Sequence, residues 1–168
     1  RSSTAGACTV HRPRPDWSAF RFPPLGPAYI AASLRRAGHD VSILDCTFLS
    51  RREALDNAAS MAAEITGIYC MVGMRENALE FARRLRDKCR LLVAGGPLPT
   101  LDAASFLYDF DVVVAGEGER TMPEVADAFE TRSDFQAVPG IAYRKDDEIV
   151  RTGPRQLEPD LDSIPFPA

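Results

Sequence analysis

Five short apolar runs, each followed by a stretch of helical spacing, constrain this chain more than any other feature of its sequence. They are Ala7–His11, Val41–Leu44, Ile65–Cys70, Leu91–Ala94 and Asp111–Ala115. Each is apolar along nearly its whole length, without the polar alternation of a strand that shows one face to water. Each therefore predicts a strand covered on both sides. Between the first two lies an irregular loop marked by Pro13, Pro15, Pro23 and Pro24. Gly26-Pro27 then opens a helix in which Tyr29, Ile30, Ser33 and Leu34 recur at helical spacing. Pro27 suits its first turn and Gly38 its C-terminal cap. Arg51–Ala63, Glu76–Lys88 and Thr121–Thr131 read as further helices, and Leu101–Leu107 as a short one. Strands alternating with helices give an α/β fold, a five-stranded parallel sheet with helices on both faces. Sheets of this kind take ligands at the carboxyl ends of their strands.

The pattern changes after Val138. Gly140–Tyr143 and Glu148–Arg151 flank Lys145-Asp146-Asp147 as a β-hairpin. The closing LEPDLDSIPFPA (157–168) is proline-rich and aperiodic, and reads as a linker leading elsewhere. The expected division is an α/β domain over 1–136 and a hairpin with linker over 137–168.

At 168 residues the chain can bury a real core, and its 45% apolar and 26% charged content is that of an ordinary soluble protein. A net charge of −4 offers no general attraction to nucleic acid or an anionic membrane. No apolar run approaches the roughly 20 residues that span a bilayer. The first residue is Arg1 rather than Met, as expected of a chain without its natural N-terminus, and no signal-peptide pattern is present. Cys8, Cys46, Cys70 and Cys89 lie far apart with no CxxC, which argues against a local zinc or iron–sulfur site and for a reduced, cytoplasmic setting.

The strand ends narrow the ligand class. A dinucleotide site wants GxGxxG after the first strand, where this chain reads HRPRPDW. The phosphate-binding GxxxxGK[ST] is absent, and a phospho-receiver would carry Asp where this chain has Cys70 and Met71. What remains is small residues at three adjacent strand ends: CMVGM (70–74), AGGPLPT (94–100) and AGEGERT (115–121). Gly73 gives access at the first, and Thr100 and Thr121 close the other two with hydroxyl donors. Together they predict a broad slot; the plainer alternative is that each glycine serves only its own turn.

PPLGPAYIAASLRRAGHDVSILD (23–45), VAGGPLPT (93–100) and DVVVAGEGERTMPEV (111–125), in that order and spacing, resemble the cobalamin-binding domain at the N-terminus of cobalamin-dependent radical S-adenosylmethionine enzymes. The resemblance runs from about residue 7 to the end. It implies a flavodoxin-like (Rossmann-like) domain with the corrin across its strand ends and the nucleotide tail running down into the sheet. The cofactor contacts it implies come from Pro24, Leu25 and Gly26; from Tyr69, Cys70, Met71, Gly73, Met74 and Arg75; from Gly95, Gly96, Pro97 and Thr100; and from Gly116, Glu117, Gly118, Glu119 and Thr121. Gly116 and Gly118 would make space for the cofactor, and Thr121 would bond its polar edge. Many cobalamin folds hold the tail with a Ser-x-Leu pattern; here those positions read Tyr69-Cys70-Met71.

His11 stands near the place where other cobalamin proteins offer a cobalt ligand in DxHxxG, but it reads HRPRP, without the Asp or the Gly. The resemblance implies base-off cobalamin with no protein ligand, Met74 or Arg75 facing the lower corrin surface, and His39 as a structural residue. It also implies S-adenosylmethionine and a [4Fe–4S] cluster on CxxxCxxC in a radical barrel of the same parent chain, most relatives being methyltransferases. That motif is absent from this chain, which alone is expected to bind cobalamin without catalysing. A stand-alone cobalamin carrier or sensor, or a flavodoxin-like domain for another small ligand, remain as alternatives. Glu117 and Glu119 are the only strand-end groups that could act as acid or base.

Overall fold

The computed structural model describes residues 4–9, 23–61 and 63–168, of which 4–9 are described in their backbone. His11 lies outside them. Elements follow in the order β1 (Thr4–Thr9), α1 (Leu25–Arg36), β2 (Asp40–Asp45), α2 (Arg51–Ser60), β3 (Ile65–Tyr69), α3 (Arg75–Leu85), β4 (Leu91–Gly95), α4 (Pro97–Leu101), α5 (Ala103–Phe106), β5 (Val112–Val114), α6 (Gly118–Thr131), β6 (Ile141–Lys145) and β7 (Glu148–Arg151). One sheet carries all seven strands in the order β2-β1-β3-β4-β5-β6-β7. The first five are parallel, and their 2-1-3-4-5 order is the flavodoxin-like form of the doubly wound sheet. That order reverses at β1, which pairs with both β2 and β3. A switch point of this kind opens a crevice beyond the strand ends.

Strand alternation assigns side chains to two cores. Ile65, Val93, Val112, Val114, Ile141 and Tyr143 face α1 and α6. Ile68, Cys70, Leu92, Ala94, Val113 and Ala142 face the layer of α2, α3 and α5. Helix α1 buries Pro27, Ala28, Ala31, Ala32, Ser33 and Leu34, and the small side chains among them bring it close to the sheet and to α6. A capping box starts α2: the Ser50 hydroxyl accepts from the Glu53 N–H and the Glu53 carboxylate accepts from the Ser50 N–H.

The stretch expected as one helix over 101–107 is two short helices broken at Asp102, whose carboxylate accepts from the Ser105 N–H and starts the second. Helix α6 begins three residues before Thr121, so Pro123 sits inside it. Proline has no N–H, which frees the Glu119 carbonyl from its i+4 partner. The hairpin joins the main sheet, β6 pairing antiparallel with β5 through Val113 and Ala142. The segment after β7 is held down as well: the Gly140 N–H donates to Gly153 O, Arg120 pairs with Glu158, and the Ala168 N–H donates to Ala28 O on α1. Among the described residues no helix is long and apolar enough to cross a membrane.

Candidate functional site

A cavity of about 440 Å³ lies between the sheet and helices α1 and α6, and opens at the carboxyl ends of β3, β4 and β5. Its mouth is formed by Tyr69, Gly95, Gly96, Pro97 and Thr100 on one side and by Gly116, Glu117, Gly118 and Glu119 on the other. Gly26 and Ile30 approach from α1. The two glycine loops singled out in the sequence thus face one another across one opening.

The glycines have different tasks. A Cβ on Gly96 would stand 2.9 Å from the Tyr69 ring and the Cys70 carbonyl oxygen, and its φ of +103° suits no other residue. Gly96 therefore gives way to the Tyr69 ring, which lies beside Gly26 as well, 3.8 Å from a Cβ built there. A Cβ on Gly118 would meet Ile30 Cδ1 at 2.7 Å. Its missing side chain makes room for Ile30, which itself lines the slot. Gly95, Gly116 and Gly73 face open space, with nothing within 4 Å of an added Cβ.

Thr100 ties the two loops together. Its hydroxyl donates to Gly96 O at 2.9 Å and accepts from the Gly116 N–H at 3.0 Å. Thr121 does not reach the slot. It is fully buried, its hydroxyl donating to Glu117 O and accepting from Arg155 Nε at 2.8 Å. The bond it was expected to give a cofactor is already made inside the protein.

The other expected residues separate. Cys70 and Met74 point into the core on the opposite face of the sheet, so neither side chain faces the slot. Burial pushes the Cys70 thiol up to about 11, and its S–H donates to Met71 O. Met71, Gly73 and Arg75 lie exposed on the surface after β3, with the Arg75 guanidinium 6.0 Å from the Phe106 ring. Pro24 stands at the start of α1 and Leu25 is exposed in its first turn. His39 lies at the amino end of β2, buried between Asp127 and Glu130 of α6 and far from the mouth.

The sequence reading missed the depth of the slot. Its inner walls are Pro27, Ile30 and Leu34 of α1, Val41 of β2, Ile65 and Gly67 of β3, Val93, Val114 and Met122. One signal was available: Gly67 interrupts the apolar strand ITGIY, and a glycine inside a strand marks a close approach or a bulge.

The B12 binding domain model matches residues 18–126. The chain belongs to the B12-binding domain family. Of the curated relatives of this B12-binding domain, the anaerobic magnesium-protoporphyrin IX monomethyl ester cyclase of Synechocystis sp. is 31% identical over 84% of this chain and 30% of its own length. An uncharacterized methyltransferase of Pyrococcus horikoshii is 29% identical, over 87% of this chain and 33% of its own length. The domain thus spans about a third of these relatives. Among solved structures, the radical S-adenosylmethionine methyltransferase TsrM of Kitasatospora setae, with cobalamin and a [4Fe–4S] cluster bound, superposes with a TM-score of 0.78 at 19% identity. The match covers 99% of this chain and 31% of that one.

Cobalamin is the cofactor of such a domain, and the slot fits it on structural grounds. The strand ends are free of bulk at Gly95 and Gly116, and the cavity behind them is within the usual size of a ligand pocket. Along one side stands the N-terminus of the 14-residue helix α6, where no side chain caps the first N–H groups.

Proposed function

We propose that this B12-binding domain is the cofactor-carrying part of a larger cobalamin-dependent radical S-adenosylmethionine enzyme, a methyltransferase using methylcobalamin, and that it holds the cofactor base-off. The observation that carries the reading is the slot: it opens at strand ends left bare by Gly95 and Gly116 and runs down between the sheet and helices α1 and α6, the course that a nucleotide tail passing into the sheet requires. When bound, methylcobalamin supplies a transferable methyl group.

The roles of this chain's residues follow. Gly95 and Gly116 leave the strand ends open for the corrin, Gly26 and Gly96 seat the Tyr69 ring that borders it, and Pro97 lines the mouth beside them. Thr100 holds the Gly96 and Gly116 loops at a fixed separation. The first N–H groups of α6 favour the tail phosphate, through their free hydrogens and the positive end of the helix. The Glu117 and Glu119 carboxylates at the mouth accept from corrin side-chain amides. Leu25, Met71, Gly73 and Arg75 lie outside the slot, so any contact they make is with the ring on the outer surface. Residues 1–136 are the carrier, and 137–168 lead through the hairpin towards the radical barrel.

Two observations test this reading. Reduced to cob(II)alamin on the protein, the cofactor is expected to show a base-off paramagnetic spectrum, without splitting from a coordinated nitrogen; a nitrogen-ligated spectrum overturns the base-off assignment. The parent sequence is expected to carry CxxxCxxC beyond Ala168. Its absence overturns the radical part of the proposal and leaves the carrier part standing.

A further inference from the structure

The slot changes character with depth. Polar side chains stand at its mouth, on Tyr69, Thr100, Glu117 and Glu119. Below them the described lining is hydrocarbon: Ile30, Leu34, Val41, Ile65, Val93 and Met122. Four of these, Leu34, Val41, Ile65 and Val93, are almost fully buried. Val41 and Ile65 stand at one level of the sheet, since both pair with Ala5 of β1. Gly67 stands two residues nearer the mouth, opposite Val93, and lines the passage with backbone alone. From Ile65 to Tyr69 is four residue steps, about 13 Å of strand. A group at the bottom of this slot is out of reach of the polar mouth.

Cobamides differ in the base that ends the nucleotide tail. It is a benzimidazole in cobalamin, a phenol or a purine such as adenine in others. Released from cobalt, a benzimidazole has one ring nitrogen in need of a partner, and a phenolic ring bound through its oxygen has no donor. Adenine brings an exocyclic amine and several ring nitrogens, each costly to bury against hydrocarbon. We propose that the apolar deep end of the slot selects cobamides by their lower base, taking benzimidazolyl and phenolyl forms and rejecting purinyl ones. The inference rests on the seating of the tail proposed above. It adds that Leu34, Val41, Ile65 and Val93 are specificity-determining residues. The logic is that of any apolar pocket offered a polar analogue: the penalty comes from groups that lose water and find no partner.

The test is the affinity of the 168-residue chain, by equilibrium dialysis, for cobalamin, a phenolyl cobamide, adeninyl cobamide and cobinamide, which has no nucleotide. Taken against cobalamin, the phenolyl form, which has no nitrogen to release from cobalt, is expected to bind at least as tightly. The adeninyl form is expected at least about tenfold weaker, the fold-change of one buried polar group left unpaired. Adenine is the weaker cobalt ligand of the two bases, so release from the metal works against this order and cannot produce it. Val41→Thr, which adds a hydroxyl at the deep end with little change of volume, is expected to narrow the gap. Adeninyl cobamide binding as tightly as cobalamin overturns the selection. Cobinamide binding as tightly as the phenolyl cobamide, neither of which has a base to release from cobalt, overturns the seating of the tail, and with it the selection. Retention of no corrinoid at all overturns the carrier reading itself.

Discussion

A methyl group added at Gly96 and one added at Gly118 meet very different neighbours. At Gly96 it strikes backbone and an aromatic ring at 2.9 Å, at a φ of +103°. Gly96→Ala is expected to cost about 2 kcal/mol or more, seen as a thermal midpoint lower by several degrees. At Gly118 it strikes the far end of Ile30, a flexible side chain that lines the slot. Gly118→Ala is expected to leave the midpoint nearly unchanged and to weaken cobalamin binding as Ile30 turns into the cavity; a large loss of stability with intact binding would contradict this. Cys70 supplies a pH effect. Burial, opposed weakly by Arg75, raises its thiol from the ordinary 9.0 to about 11 in the folded chain. The stability gained by keeping it protonated is intact below pH 9 and is lost as pH climbs towards 11. Cys70→Ala is expected to flatten the fall of the thermal midpoint over that window, and an unchanged profile would contradict the assignment. At this scale the sequence showed which loops matter but not which atoms are free. Thr121 read as a free donor because its hydroxyl turns back to Glu117 O inside the helix, held there by Arg155, which donates to it from 34 residues further on.

Elements were legible to the extent that their signals were local. Strands β2 to β5 show as apolar runs because both their faces are covered. The break at Asp102 was hidden, since the stretch on either side is equally apolar and only the Asp102–Ser105 bond separates two helices. The hairpin was visible as a hairpin, while its partner β5 was not, because strand choice depends on the whole sheet. The segment after β7 also gained structure that its composition conceals. Arg155 donates to Thr121 and pairs with Glu124, while Glu158 pairs with Arg120, so the connection is fastened to the first turns of α6. Arg155→Met is expected to cost about 1–2 kcal/mol and to speed proteolysis after residue 152. Cleavage at the wild-type rate would show that the segment is held by other contacts.

The molecule as a whole is a doubly wound sheet extended by a hairpin, with a ligand slot under the helix pair α1 and α6 and a C-terminal segment fastened to both helices. The order of the three motifs, 23–45, 93–100 and 111–125, foretold the mouth of that slot because glycine at a strand end is a conspicuous signal. Its depth was not foretold: Leu34, Val41, Ile65 and Val93 have the same chemistry as the core around them, and only the chain's path leaves a space between them. The central claim is that this slot, entered at the bare strand ends, is where cobalamin sits. Gly95 provides the most direct test, because a side chain there meets nothing in the protein and projects into the opening. The measurement is the cobalamin retained after desalting by the wild-type chain and by Gly95→Val, compared at equal thermal midpoints. The account predicts one equivalent on the wild type and a loss of at least about tenfold in affinity in the variant; full retention by a well-folded Gly95→Val would put the cofactor elsewhere.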